Sequence, residues 1–375
     1  MAQLQSSKFL GPWVRLEGIS TSQLPPGGKG VEPANRVSST EKFSDGSGAV
    51  AAPNLTTFIT KVLTESIPFI DDVAPKSGGT STWKTKGSPK KYASSEAPVH
   101  LYERVVAGKD LDKVEGMSKF SADRKDETWF CRKSCHRNKA EKGTASWKEF
   151  THCFKEHHAE SEDAFTPTVI GAREAMKWDT TGIEVEVHGG RWNNITVAIE
   201  EMKHKIDPKP LKNRTFPVVQ ITAALSGTEE FLVISIPLTD FEKSPYAEFA
   251  RDKTLVVAAY ASIERVRVLP SNGDVEWIMG TASDAGGVLP QWMQNLAVPG
   301  AVAKDVEMFM AWVPSQRNVN GHDKPAPISK SANGDKTLPK GPAATAPPPI
   351  SKIDDKSPMS RADSANKDLP AAPGQ

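Results

Sequence analysis

Cysteine is scarce in this chain, with three residues in 375. Three cysteines do not make a disulfide framework, which excludes a small cross-linked extracellular domain. No run approaches the about 18 apolar residues of a transmembrane helix, and the first ten residues lack the pattern of a signal peptide. Charge of one sign is not in excess either, since 47 basic and 46 acidic residues leave a formal charge of +1. We therefore expect a cytoplasmic protein with no nucleic-acid partner.

Aromatic residues are absent from the last part of the chain, which has ten prolines between Ser315 and Gln375. Such a segment buries too little apolar surface to offset its ordering entropy, so residues 315–375 are predicted to be a disordered tail. Residues 1–53 are predicted to be mostly loop, with Gly- and Pro-rich turns. What remains, residues 54–314, is the right size for one domain.

Hydrophobic spacing predicts the elements of this domain. A first helix begins near Leu55 and ends at Pro68. The pattern then predicts three short strands, a helix at residues 145–157, and a helix at residues 167–178 with Thr166 as its N-cap. Six further strands are predicted after the second of these helices. The first three strands are Thr82–Lys86, Val99–Val106 and Thr128–Cys135. The six later strands are Ile183–Val187, Asn194–Lys203, Thr215–Leu225, Glu230–Pro237, Leu255–Val268 and Val275–Ala282. Residues 226–228 and 271–274 are predicted to be hairpin turns.

A long amphipathic helix is predicted at residues 288–313. Gly286 and Gly287 precede it, and Pro299 lies within it, so we expect a flexible entry and a kink. Its apolar residues fall on one stripe, which by itself is typical of an ordinary core-packing helix.

The order of these elements resembles the START domain, in which a curled antiparallel sheet closes around a C-terminal helix. Three segments, Thr281–Trp292, Trp129–His136 and Arg214–Val218, look like blocks of an uncharacterised fungal family of START-like proteins. The resemblance covers residues 54–313 and implies an α+β, helix-grip fold. It also implies a hydrophobic cavity between the sheet and the terminal helix that holds one lipid-like molecule. The long loops at residues 71–98 and 107–127 depart from well-studied START domains.

The resemblance places four residues of the terminal helix, Trp292, Met293, Leu296 and Phe309, on the cavity wall. Small residues on the strands, such as Ala258 and Ala261, would leave room for a ligand, or would pack tightly against the helix and leave none. Arg132 and Arg214 flank apolar strand residues. Either arginine would hold a lipid headgroup or would pair with an acid such as Glu184 or Glu186.

The loop at residues 204–214 is rich in basic residues around an apolar tip. In START domains the corresponding loop shares the cavity entrance with the terminal helix. Lys205, Lys209 and Lys212 surround Leu211, which suits an anionic bilayer surface. The alternative is a solvated hairpin that lysines keep soluble.

Metal-binding and catalytic patterns are weak. Cys131, Cys135, His152 and His157 imitate a Cys2His2 pattern, but 16 residues separate the two pairs, against about 12 in a zinc finger. Two cysteines four apart on a strand also lie about 13 Å apart, too far for one ion. His152 beside Cys153 makes a poor nucleophile and base pair, and no nucleophile elbow or P-loop is present. We therefore predict no metal, no cofactor and no catalytic residue.

Three functions follow from these patterns. The first is non-enzymatic binding of a lipid or other hydrophobic ligand, peripheral to membranes, with transfer or sensing as the role. The second is an interaction protein that uses its proline-rich tail, at Ala346–Pro349, as a docking site. The third is an enzyme of the same fold.

Overall fold

A twelve-stranded sheet organises the computed structural model, which describes residues 11–31, 53–73, 81–114, 124–207, 210–287 and 291–317. The strand order is β1-β5-β7-β8-β9-β11-β12-β4-β3-β2, with β6 paired to β7 and β10 paired to β8. The strands are β1 (Lys29–Gly30), β2 (Lys84–Thr85), β3 (His100–Val106), β4 (Glu127–His136), β5 (Val169–Lys177), β6 (Val185–Val187), β7 (Gly190–His204), β8 (Arg214–Leu225), β9 (Glu230–Pro237), β10 (Val256–Val257), β11 (Ala259–Val268) and β12 (Val275–Asp284).

Every pairing in this sheet is antiparallel except that of β10 with β8. The helices are α1 (Leu55–Asp71), α2 (Gly108–Leu111), α3 (Trp147–Phe150), α4 (His158–Phe165) and α5 (Gln291–Trp312). A π-helix (Thr151–Glu156) joins α3 to α4, and short 3-10 turns lie at Thr21–Gln23, Phe241–Lys243 and Val313–Gln316. The predicted fold class is confirmed: the fold is α+β, with a curled antiparallel sheet and a long C-terminal helix.

The six predicted strands after residue 180 are present as seven, β6 to β12, because the predicted strand Leu255–Val268 is divided into β10 and β11. The two predicted hairpin turns are present as well. Gly227 and Gly273 have φ of 74° and 76°, a left-handed conformation that costs glycine nothing because it has no Cβ.

Helix α1 continues past Pro68, where the sequence predicts its end, and stops at Asp71. A proline removes the hydrogen bond to the carbonyl four residues earlier, here that of Thr64. The ring of His188 donates to that carbonyl oxygen from 2.9 Å. The last turn also buries Phe69 and Ile70 completely, which favours continuation of the helix.

The predicted helix at residues 167–178 is wrong, because this segment forms β5. The apolar residues Val169, Ala175 and Met176 are buried, and their spacing imitates a helix. Two register shifts in the pairing with β7, at Val169/Gly171 and Glu174/Met176, interrupt the alternation of a strand. Local capping signals therefore give way to pairing with a distant strand. The predicted helix at residues 145–157 is split into α3 and the π-helix, and α4 continues beyond it.

The two faces of the sheet bury different cores. Helix α1 and the N-terminal residues Val14 and Ile19 cover one side, which we call the α1 face. Helices α3 to α5 and the π-helix cover part of the other side, the α5 face. After α5, Arg317 donates to the Glu149 carboxylate from 2.7 Å, so this residue contacts α3. Within the described ranges, no helix combines the length and apolarity needed to cross a bilayer.

Candidate functional site

An aromatic core fills one end of the α5 face. Trp277 of β12 lies at its centre, with ring centroids 4.7 Å from Phe154, 5.4 Å from Phe150 and 5.5 Å from Phe309. All four rings are almost completely buried. This end of the face is therefore packed as a core and offers no space to a ligand.

A polar cluster borders this aromatic core. Arg132 of β4 donates from Nη2 to Oε1 of Glu264 on β11 at 3.0 Å, and its guanidinium lies 3.8 Å from the centroid of the Trp277 ring. The Trp277 indole donates to the same carboxylate from 2.6 Å. Glu264 Oε2 lies 3.3 Å from Nε2 of His158 on α4. Three donors thus hold one buried carboxylate between the sheet and the helices.

Two further carboxylates face this cluster from the helices. Asp305 of α5 lies with Oδ2 3.7 Å from Arg132 Nε, and Glu162 of α4 lies with Oε2 3.8 Å from His158 Nδ1. Burial raises the pKa of Asp305 to about 7 against the opposing charge of Arg132, and burial also raises the pKa of Glu162. Yet the two carboxylate side chains keep 28% and 30% of their surface accessible. The two carboxyl groups are therefore desolvated without being cut off from solvent.

The surroundings of His158 and Glu264 favour the charged form of each. Burial opposes the charged imidazole, but the hydrogen bond to Glu264 and the charges of Glu162, Glu264 and Glu200 together raise the pKa of His158. Burial likewise opposes ionisation of Glu264, while the bond to His158 and the charge of Arg132 lower its pKa. Arg132 itself is not fully satisfied. Its Nε and Nη1 atoms are buried without a hydrogen-bond partner in the described part of the chain.

Beyond the polar cluster, the α5 face of the central strands is not closed. Ser262 and Tyr260 of β11, Met279 of β12 and Phe216 of β8 are only partly buried, although each of these strands has a neighbour on both sides. On the opposite side of the same strand, Ile263 is completely buried. The main contacts of the described part of α5 are with β4, β3 and α4, so this part of the helix lies over the β3–β4 side of the face.

We call this region the groove. It consists of a polar end and a mixed wall: the polar end is Arg132, His158, Glu162, Glu264 and Asp305, and the wall is Phe216, Tyr260, Ser262 and Met279. Small side chains line its middle, because Ser262 pairs in register with Ser235 on one side and with Thr281 on the other. A charged end and an apolar wall suit an amphipathic molecule.

The predicted cavity residues of α5 are placed differently from one another. Phe309 is buried in the aromatic core, outside the groove. Met293 and Leu296 are 42% and 76% exposed, so they lie on the outer side of the helix. The side chain of Trp292 lies outside the described residues. The apolar stripe does not continue through the first turns of α5. Gln294 holds these turns by a polar contact, because its side-chain oxygen accepts a hydrogen bond from the Ala285 amide at 2.7 Å.

Arg214 does not face the groove's polar end. It is buried at the start of β8 and donates from Nε to the Ala285 carbonyl at 2.9 Å, from Nη2 to the Gly286 carbonyl at 3.4 Å, and to the carbonyl of Lys212. Backbone oxygens therefore take the place of the acid that the sequence suggested as its partner. Glu184 and Glu186 pair instead with the exposed Arg191.

The basic loop lies next to this junction, between β7 and β8. Lys205 and Lys212 are exposed and Leu211 is partly exposed, while Lys209 lies outside the described residues. Lys205 pairs with Asp207 at 2.8 Å, and Lys212 donates to the Lys253 carbonyl at 3.2 Å. The arginine at the end of this loop contacts the residues before α5, so the loop and the first turns of α5 lie at the same end of the sheet.

The cysteine and histidine pattern does not come together as one group. Cys131 is buried in the α1 face core, and Cys135 is exposed on the same strand. His152 and His157 lie in and after the π-helix on the other side of the sheet, with Glu156 close to both. Burial raises the pKa of Cys131 and Cys153, the latter to about 12, so both remain thiols.

Sequence reasoning identified Arg132 but missed its acidic partners. Glu264 lies in the strand segment Ile263–Arg267, which carries three charged residues among two apolar ones. Charges on a central strand are a signal for a buried pair. Asp305 and Glu162 give no such signal, because an acid on an amphipathic helix is usually exposed. Only the packing of α4 and α5 brings them to Arg132.

Comparisons with known proteins find one matching family model and a set of similar structures. The family model described as "protein of unknown function (DUF3074)" matches residues 129–313. Human STARD10 is similar at 13% identity and a TM-score of 0.41, covering 71% of this chain and 84% of that one. Human StAR-related lipid transfer protein 5 is similar at 10% identity and a TM-score of 0.42, covering 68% and 95%. The lipid transfer and protein localization domain of human StarD13 (DLC2) has 11% identity and a TM-score of 0.37, covering 61% and 87%. No curated protein matches the chain.

Proposed function

We propose that the protein binds one amphipathic, lipid-like molecule in the groove without transforming it. The observation that carries this proposal is the incomplete burial of Tyr260, Ser262 and Met279 on central strands. Directly beside them lies the buried Arg132, two of whose nitrogen atoms have no hydrogen-bond partner among the described residues. An unfilled surface of this kind is costly in the middle of a sheet unless a ligand covers it.

The polar end of the ligand lies at Arg132. Its Nε and Nη1 atoms are donors, so the ligand group that meets them is an acceptor such as a carbonyl, hydroxyl or ester oxygen. Asp305, whose pKa of about 7 leaves it partly protonated near neutral pH, is able to donate as well as accept. The apolar part of the ligand lies along Phe216 and Met279, where its burial supplies about 25 cal/mol for each Å².

The charges of the groove favour binding over catalysis. Glu264 is engaged by Arg132, His158 and Trp277, so it is held in place as a structural anion. His158 contacts Glu264 through its Nε2 atom. Its other ring nitrogen, Nδ1, lies 3.4 Å from the side-chain nitrogen of Gln220. Neither group is left as an unengaged base, which is what proton transfer to a ligand requires.

We also propose that the exposed surface beside the groove meets an anionic membrane. Met293 and Leu296 are exposed apolar residues on the first turns of α5. Lys205 and Lys212 lie in the loop that Arg214 connects to the residues before that helix. Basic residues attract an anionic bilayer by about 1 kcal/mol each, and the apolar side chains enter its surface. In this proposal the protein is peripheral to the membrane and takes up its ligand there.

Native mass spectrometry of the purified full chain tests the binding proposal. We expect the folded protein to carry one non-covalent adduct, which organic extraction identifies as a lipid. A protein whose measured mass equals the mass calculated from its sequence, and that takes up no lipid from mixed vesicles, would contradict the proposal. An adduct that is water-soluble and has no acyl or ring system would contradict the lipid-like class.

A further inference from the structure

A second group of ligand-like side chains lies at the π-helix, outside the groove. His152, Glu156 and His157 each offer a nitrogen or oxygen atom, and these atoms lie within 4.8 Å of one another. Among the described residues, this is the one group of three histidine, cysteine or acidic side chains that comes so close. The lipid proposal does not involve it.

The π-helix is what brings these residues together. In an α-helix, residues five apart lie about 140° from each other around the axis. In the wider turn the amide of His157 donates to the carbonyl of His152 at 3.1 Å, so the two residues lie one above the other. Their rings contact at a centroid distance of 4.7 Å and an angle of 60°. Single π-turns of this kind are frequent at functional sites.

The distances suit a tetrahedral ion. At a zinc–nitrogen distance of about 2.0–2.1 Å, two ligand atoms of a tetrahedron lie about 3.3 Å apart. His152 Nδ1 and Glu156 Oε2 are 3.4 Å apart. His157 follows at the end of the π-helix, and its ligand atom lies within 4.8 Å of the other two, so the three atoms form a triangle of ligands.

The neighbouring side chains leave this triangle available. Lys155 directs its ammonium to the Asn194 carbonyl and not to Glu156. Cys153 points to the aromatic core on the other side of the turn and is buried there, so it is not a fourth ligand. The Glu156 side chain is 55% exposed, so an ion from solvent reaches the site.

We propose that His152, Glu156 and His157 form a binding site for a divalent transition metal of the zinc type. Two imidazoles and one carboxylate are the donors that such ions prefer, and a water molecule completes the fourth position. The bound ion joins the π-helix to the start of α4. The next residue, His158, contacts Glu264 in the groove, so the metal fixes the element that supplies one side of the ligand site.

Zinc titration of the tag-free full chain against a chromophoric chelator tests this proposal. We expect one equivalent of Zn²⁺ to bind, and we expect Glu156→Gln and His157→Ala each to weaken binding by at least about tenfold. Glu156→Gln is the safer variant for folding because that side chain is exposed. His100→Ala on β3 and Cys135→Ser are matched controls, which keep wild-type affinity because both lie outside the group.

Cobalt substitution gives an independent measurement. Co²⁺ at a site of two histidines and a carboxylate should show tetrahedral visible bands without the near-ultraviolet band of a thiolate ligand. Wild-type affinity in both Glu156→Gln and His157→Ala, no zinc binding by the wild type, or a thiolate band that Cys135→Ser removes would each overturn the proposal. These outcomes concern the metal alone and leave the lipid proposal unaffected.

Discussion

Arg132 and Glu264 are 132 residues apart in the chain and meet on the α5 face of the sheet, with 3.0 Å between Nη2 and Oε1. Both side chains are almost fully buried, at 3% and 6% exposure. A buried pair of this kind contributes little net stability, because desolvation offsets the attraction. Removing one partner is nevertheless destabilising, because it leaves the other charge buried and uncompensated. The pair therefore behaves as a unit, and it separates the aromatic core from the groove.

Glu264→Gln tests this relationship. The variant leaves Arg132 buried without its closest counter-charge, so the free energy of unfolding should fall by about 3–5 kcal/mol. Urea denaturation measures this loss, provided that the dependence of the unfolding free energy on urea concentration is the same in the variant and the wild type. Arg191→Gln is the control, because Arg191 and Glu186 form an exposed pair, at 60% and 64%, whose loss should change stability much less. Equal stability losses in the two variants would contradict the account of the buried cluster.

Glu200 gives a prediction about pH. Burial raises its pKa from 4.5 to about 8, and the charges of Glu174 and Glu160 add to the effect. The native state therefore keeps a proton between these pH values that the unfolded chain has lost. Unfolding releases this proton, so stability should fall by about 1.4 kcal/mol per pH unit across the window and level off above it.

Glu200→Gln removes this component of the pH dependence, because the amide does not ionise. The variant and the wild type should differ least near pH 4.5, and the variant should be the more stable protein above pH 8. Urea denaturation at the two ends of the window measures the difference. Glu186→Gln, at an exposed position, is the control. A Glu200→Gln protein with the pH profile of the wild type would show that this carboxyl ionises normally.

Arg214→Gln should loosen the junction before α5. The arginine donates to the carbonyls of Ala285 and Gly286, and charged hydrogen bonds of this kind contribute about 1.5–3 kcal/mol each. Hydrogen exchange should therefore accelerate in residues 284–296 and remain unchanged in β9. Lys212→Gln, an exposed neighbour, should leave exchange as in the wild type. Unaltered exchange at the junction in Arg214→Gln would mean that other contacts hold the helix.

The membrane proposal predicts the effect of charge on α5. Leu296→Asp places a carboxylate at a position that is 76% exposed, so it should spare stability and weaken binding to anionic vesicles. Val105→Asp, at an apolar position 53% exposed on β3, is the matched control. Replacing Lys205 and Lys212 by Gln should weaken binding to anionic vesicles by about 2 kcal/mol at low salt. If Leu296→Asp and Val105→Asp bind vesicles alike, this surface is not the one that meets the membrane.

The sequence predicted most of the sheet because its strands alternate regularly and their hairpin turns contain glycine. It failed at β5, where two register shifts break the alternation and where pairing with β7 outweighs a good helix start at Thr166 and Pro167. The candidate site was less predictable. Arg132 was identified as an inward strand residue, but Asp305 and Glu162 come to it only through helix packing, for which the chain has no local signal. Leu296 was predicted to line the cavity and is exposed instead. The apolar stripe of α5 was extended into first turns that Gln294 holds by polar contacts.

The central claim, that the groove holds an amphipathic ligand, is tested most directly by filling it. Ser262→Trp places a large ring between Tyr260 and Met279, at the open middle of the groove, and Ile170→Trp places the same ring at an exposed position, 43% accessible, on β5. Binding of a fluorescent fatty-acyl probe is measured for both variants, with circular dichroism and thermal unfolding as the test of folding. The account predicts that the Ser262→Trp protein folds and loses at least about tenfold in probe affinity, a change of about 1.4 kcal/mol, while Ile170→Trp binds as the wild type does. A folded Ser262→Trp protein with wild-type probe affinity would contradict it.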